Sequence, residues 1–200
     1  MLSNPWDSIT KPPLSLERSR SVRLDCKPRI VKPTPLVDSD VDFESIIGIP
    51  RITWDDFSAP PDRRSPWAAH TYWDIRYKYR VSFIRDRPFV QISSRCRLNS
   101  ETSWVKRKDD KLFVHERGHY FIGWICALEF KKRVLEAKLS PYNYANEIEK
   151  IFKSTLEEHL RWEVLYDQET EHYKNVSNQL KWNQRIAQKL YQLREYLDGR

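Results

Sequence analysis

Five histidines occur in the chain, and two of them frame the string His115-Glu116-Arg117-Gly118-His119. On a helix, residues i and i+4 share one face, so both imidazoles can reach one cation. Glu116 then sits about 100° round the axis, beside the position the ion leaves open. A zinc ion held by such a pair keeps a water and lowers its pKa to about 7. The adjacent glutamate takes the proton and passes it to a leaving group. That is the apparatus of metal-assisted peptide hydrolysis, with His115 and His119 as ligands and Glu116 as catalytic base. In a chain of this composition the string arises by chance about once in a hundred, so two surface histidines sharing a helical turn explain it less well.

A hydrolytic zinc site needs a third protein ligand. Glu129, further along the same helix, would stand about 15 Å up the axis from His119 and cannot reach the ion. Trp124 fills the place five residues past His119. The ligand must come from another element, and the run Tyr166-Asp167-Gln168-Glu169-Thr170-Glu171-His172 is the candidate. In an antiparallel helical hairpin turning near Pro141, the residues level with His115 and His119 are roughly 163 to 167. That register favours Glu163 or Asp167, and His172 reaches the metal only if the helix breaks around Thr170. Imidazole is the commoner third partner of two zinc histidines, so His172 is expected as the ligand. Asp167 is expected as an outer carboxylate orienting one of the histidines, or as the alternative ligand beside Glu163. His70 could face the same cleft. His159, within Glu157-Glu158-His159-Leu160, reads as a surface partner of nearby carboxylates.

The elements that must position these residues follow different rules in the two halves of the chain. Eleven of the twelve prolines fall at or before Pro88. Residues 1–48 carry many of them, with a basic scatter followed by Asp38, Asp40, Asp42 and Glu44, and read as a flexible arm ahead of a domain over 49–200. From Thr71 through Trp73, Ile75, Tyr77, Tyr79, Val81 and Phe83 the chain alternates apolar with polar, which predicts a long half-buried strand. Arg85-Asp86-Arg87-Pro88 supplies a turn, and Val90 to Leu98 alternates again, which predicts a hairpin. A short strand over Arg51–Trp54 would make a third. Beyond Asp110 the period lengthens to that of helices: one ending near Leu139, a second from Tyr144 to near Thr170 with Ile148, Ile151, Phe152, Leu156, Leu160 and Val164 facing the core, and a third carrying Val176, Leu180, Ile186, Leu190 and Leu193. The fold class expected is α+β, a small antiparallel sheet packed on the HExxH helix and two further helices.

Three stretches resemble the bacterial "domain of unknown function 922" family, described as zinc-dependent proteases: Ile52-Thr53-Trp54-Asp55-Asp56-Phe57 followed by Ser65 to Thr71, the helix from His115 to Ala127, and Tyr166-Asp167 with Thr170 and His172, similar to the family's YDxxTxHG signature. The resemblance covers about residues 50 to 195. It implies a zincin-like layout in which the second signature brings its Asp and His towards the metal. Tyr173 stands where the signature has glycine, and Phe121 and Trp124 replace residues that are acidic in many members.

Composition bounds the alternatives. Two hundred residues, 40% hydrophobic and 32% charged, suffice for one domain with a tail and offer no run of about 18 apolar residues that could span a bilayer. Four scattered glycines leave no phosphate-cradling loop. Cys26, Cys96 and Cys126 lie far apart without a CxxC pair and read as reduced thiols. The leading residues lack a secretory signal, so a cytoplasmic location is expected, although members of the resembled family are often exported. The net charge of +7 is a weak argument for nucleic acid. The run Lys106-Arg107-Lys108 reads as a loop and the tryptophans as core, so nucleic acid is not favoured. The expected partners are a peptide or protein substrate, with the arm as a candidate docking tail, and the expected cofactor is one zinc ion. The rival reading is a zincin-like binding protein without catalysis, its metal structural or vestigial.

Overall fold

The computed structural model describes residues 48–197, so nearly all of the proposed arm lies outside the described residues. The elements in chain order are β1 (Ala69–His70), β2 (Trp73–Ile84), β3 (Arg87–Leu98), β4 (Trp104–Val105), α1 (Asp110–Glu136), α2 (Tyr144–Thr170) and α3 (Val176–Leu193). The class is α+β. β1 pairs antiparallel with β4, and β2 with β3, as two separate two-stranded sheets.

The expected strand over Arg51–Trp54 is absent. Thr53 instead caps a single 3-10 turn, Trp54–Asp56: its Oγ1 accepts from the Asp55 amide, and Asp56 Oδ2 accepts from the Thr53 amide at 2.6 Å. This reciprocal cap satisfies backbone donors locally and outcompetes the β preference of Ile52 and Trp54. The expected three-stranded sheet is therefore a two-stranded ribbon, with β1 and β4 apart from it. The ribbon's loop is shorter than the residue types predict. Arg85 and Asp86 alone turn the chain, both at positive φ (48° and 61°), and Pro88 already pairs with Phe83. Positive φ at both loop residues is the geometry whose twist matches a two-residue hairpin.

Helix α1 starts where Asp109 caps it, accepting from the Leu112 amide at 3.1 Å, and ends at Glu136 because Ala137 turns extended, short of Leu139. It is the central element. From Ile122 to Leu128 its apolar residues are almost wholly buried, in one cluster with Trp73, Cys96 and Leu98 of the ribbon, Tyr166 of α2, and Trp182, Ile186, Leu190 and Leu193 of α3. A second apolar cluster joins its C-terminal part, Phe130 and Val134, to Ile92, Ile148 and Phe152. Gly123 makes the ribbon contact possible: a Cβ there would stand 2.7 Å from Cys96 Sγ and from the Trp73 ring. Three residues expected in the core lie outside it. Val164, Val176 and Leu180 are exposed. Thr155, His159 and Gln179 take buried places on those helices, because the faces turned inward run through them.

His159 is likewise not a surface residue. It is 1% exposed, and its Nδ1–H donates to the Thr155 carbonyl at 2.8 Å. Burial lowers its pKa below the ordinary imidazole value. Glu129, rejected as a ligand from its distance along the helix, is paired with Lys189 at 3.0 Å.

Candidate metal centre

His115 and His119 sit on the face of α1 that meets α2, where α2 presents Glu163, Tyr166 and Asp167. Close approach is set by Gly118. A Cβ at that position would collide with the Tyr166 hydroxyl and lie 2.7 Å from its Cζ. Without one, the Tyr166 ring stacks on His115 with centroids 4.7 Å apart and planes 16° apart, and its hydroxyl donates to the His115 carbonyl at 3.1 Å. Burial holds that phenol far above its ordinary pKa, so it remains a donor.

Each imidazole has one nitrogen anchored and one directed inward. His119 Nδ1–H donates to Glu163 Oε2 at 2.7 Å, and His115 Nδ1–H to Gln179 Oε1 at 3.1 Å. Their Nε2 atoms then converge, 3.3 Å from each other and each 3.1 Å from Asp167 Oδ1. Two imidazole lone pairs and a carboxylate oxygen this close repel unless a proton or a metal ion lies among them. Asp167 shows the same tension: burial would raise its pKa, but the hydrogen bonds from His115 and His119 outweigh that and hold it well below the usual carboxylate range. For His119, burial acts to lower the pKa, while the charges and hydrogen bonds of Glu163 and Asp167 raise it well above the ordinary value.

His172 arrives by a route that helix register alone does not supply. α2 ends at Thr170, and Glu171, His172 and Tyr173 all adopt left-handed backbone, with φ of 50°, 50° and 71°. This tight reversal folds His172 back so that its Nδ1 lies 3.2 Å from Asp167 Oδ1. Tyr173 occupies a conformation that glycine adopts freely and other residues only at a steric cost. Ligating atoms of His115, Asp167 and His172 all lie within 4.8 Å of one another, a His/Asp group that could hold a metal ion. Asp167, expected as an outer carboxylate, thus faces the inward nitrogens of both helical histidines. Glu163, weighed as a ligand, faces the outer nitrogen of His119 instead.

Glu116 is 4% exposed and lines the same cleft. Its Oε2 accepts from the Thr71 hydroxyl at 2.5 Å. Burial raises its pKa above the ordinary carboxylate value, against the opposing influence of His119 and His115. The cleft encloses about 710 Å3, between the segment Pro66–Thr71 on one side and Glu163, Val164 and Asp167 on the other. His70 lines it, with its pKa lowered chiefly by burial. Trp67, counted with the core tryptophans from sequence, is instead 43% exposed at the mouth and lies on His172 with centroids 3.8 Å apart. Lys106 and Arg107 also line the cleft, and Arg107 donates to the Tyr173 hydroxyl at 3.2 Å.

No family model, curated protein or solved structure matches the chain. Sequence reasoning misses Thr71, Gln179 and Gly118. A signal exists for the first two: each is a polar residue at an inward position of an apolar pattern, Thr71 at the head of the strand alternation and Gln179 one turn before Trp182. Gly118 shows in the sequence only as an unspecified position of the motif.

Proposed function

We propose that the protein is a zinc-dependent metallopeptidase with a zincin-like site. The observation that carries this reading is the pair of Nε2 atoms 3.3 Å apart, both converging on one Asp167 oxygen while their Nδ1 atoms are anchored by Glu163 and Gln179. Ligands about 2.0–2.1 Å from a tetrahedral zinc stand about 3.3 Å from each other, so spacing and donor type both fit. Anchored outer nitrogens are what metal-ligating histidines characteristically show. His115, His119 and Asp167 would hold the ion, with His172, whose Nδ1 lies 3.2 Å from the same Asp167 oxygen, as a further donor.

Zinc, when bound, supplies a Lewis acid that polarises a carbonyl and brings the pKa of water to about 7. The chain's residues do the rest. Glu116 is the general base: its raised pKa suits a group that must take up a proton and release it again to the leaving amine. Thr71 fixes one of its oxygens. β1 pairs with β4 along one edge, and its other edge has no ladder partner among the described residues. An extended peptide added there would run past Glu116.

One observation favours the rival reading. Counting His172, four donors surround the site, and zinc sites closed by four protein ligands are structural. Zinc analysis and hydrolysis of a mixed peptide library separate the two. The metallopeptidase reading expects one zinc per chain in the wild type and in Glu116→Gln, loss of zinc in His119→Ala, and hydrolysis reduced at least ~100-fold in Glu116→Gln. Zinc held tightly without hydrolysis would leave the structural reading, and no zinc even after reconstitution would remove both.

A further inference from the structure

The polar face of the β2–β3 ribbon, on the side away from the helices, is strongly basic. Over residues 73–98 the sequence has seven basic residues against two acidic, so this one hairpin holds most of the net charge of +7. The pairing gathers that charge onto one surface: Arg97 stands opposite Asp74, Arg95 opposite Arg76, Ser93 opposite Lys78 and Gln91 opposite Arg80. All five of these cations are exposed. Among the described residues, Asp74 is the one acid on this face, and it already accepts from both Arg76 and Arg97 at 2.9 Å. Arg76 and Arg95 nevertheless face each other directly, an arrangement that destabilises a strand pair. A fold gains nothing from placing like charges there, whereas a polyanion laid along the ribbon would relieve them.

We propose that this ribbon face binds duplex DNA, a function separate from the metal centre and independent of its assignment. Two features select that partner. The ribbon's strands are 12 residues each, about 40 Å long, and the charge runs along them rather than collecting at one end. A rod of regularly spaced phosphates matches a line of cations, and the major groove of B-form DNA admits a two-stranded ribbon, while that of A-form RNA is deep and narrow. An anionic bilayer would instead meet the loop end, where Phe83, Ile84 and Phe89 are exposed beside Arg85 and Arg87, and would leave Arg76 and Arg95 unused. Sequence alone disfavours nucleic acid because its visible signals are the net charge, the 106–108 run and the tryptophans, none of which marks a surface. The ribbon's charge becomes one surface only when β3 is laid beside β2.

The test is fluorescence anisotropy of a labelled mixed-sequence 20-base-pair DNA with the full chain, across sodium chloride concentrations. Lys78→Gln/Arg80→Gln/Arg95→Gln removes three cations that Asp74 does not hold, and Arg80→Lys/Arg95→Lys keeps their charge. Binding should weaken steeply with salt. The neutralised variant, melting at the wild-type temperature, should bind at least tenfold more weakly, with a log–log salt slope shallower by about 2 to 3, and the lysine variant should stay within a fewfold of wild type. Equal affinity in wild type and neutralised variant would overturn the proposal. So would tighter binding to the same duplex as RNA. Binding to phosphatidylserine vesicles that exceeds DNA binding and is lost in Phe83→Ser/Ile84→Ser would assign the hairpin to a membrane instead.

Discussion

Helix α1 has two halves whose buried residues are buried for opposite reasons. From Ile122 to Phe130 it is buried by apolar contact, and Ile122, Ile125, Ala127 and Leu128 are fully enclosed. At His115, Glu116 and His119 it buries ionisable groups as well. Burying an apolar residue stabilises a fold by roughly 1.5–3 kcal/mol. Burying an unpaired polar or charged group costs a comparable amount or more. The N-terminal half is tolerable only because Thr71, Glu163, Tyr166, Asp167 and Gln179 answer its polar atoms. The lesson is that one half of α1 holds the molecule together and the other draws on that stability to hold ionisable side chains against one another. Each half has one glycine at its closest contact, and substituting them tests the division.

The largest effect is expected at Gly123. Gly123→Val would press on Cys96 and on the Trp73 ring, both belonging to the ribbon that cannot swing aside as a surface side chain would. Overpacking of this kind costs about 3 kcal/mol, to be read as a lowered midpoint in urea, with zinc stoichiometry unchanged in the fraction still folded. Gly118→Ala should cost about 2 kcal/mol and, unlike the first, should also weaken zinc, because the Tyr166 ring that is displaced supports His115. Competition against a chromogenic chelator would show it. Zinc affinity lost equally in both variants would break the comparison.

Tyr166→Phe sharpens it. The hydroxyl donates to the His115 carbonyl and accepts from Gln179 Nε2 at 2.6 Å, and its removal should cost about 1–2 kcal/mol, with the ring stack retained. By contrast Glu116→Gln, which abolishes the proposed catalysis, should leave the melting temperature unchanged or raise it, since it removes a buried charge. The smallest effect concerns pH. His159 is buried and its pKa is lowered, so the folded state prefers it neutral. Its contribution to stability is complete above the ordinary imidazole pKa, about 6.5. That contribution falls as the pH drops below this value towards the lowered folded pKa, because the unfolded chain takes up the proton first. His159→Gln should flatten that acid limb, measured as the difference between the two proteins' unfolding free energies from pH 7 to 5. Equal slopes would show that the histidine titrates freely.

Local geometry is legible in the residues themselves. The HExxH spacing places two imidazoles and a carboxylate on adjoining faces of any helix that contains it, because the helical period is a property of the backbone. The alternation from Trp73 to Phe83 specifies a half-buried strand for the same kind of reason, and the Ser140-Pro141 break separates α1 from α2. Local pattern misleads where a short side chain can satisfy the backbone by itself, as Thr53 and Asp56 do, and where a helix's inward face passes through a polar residue such as His159.

What only the tertiary structure decided is which atoms meet across elements. Sequence register brings Glu163 and Asp167 level with the two histidines without ranking them, and brings His172 there only if the helix breaks. The packing distance permitted by Gly118 places Glu163 on an outer nitrogen and Asp167 on the inner ones, and three left-handed residues after Thr170 return His172 to the cluster. Likewise the strand alternation marks Arg76, Lys78 and Arg80 as outward, but only the pairing of β2 with β3 sets Arg95 and Arg97 beside them. Periodicity along a chain follows from covalent geometry and is written into the order of its residues. Proximity between distant residues follows from how closely two surfaces can approach, and that depends on atoms, or missing atoms such as the Cβ of Gly118, on both.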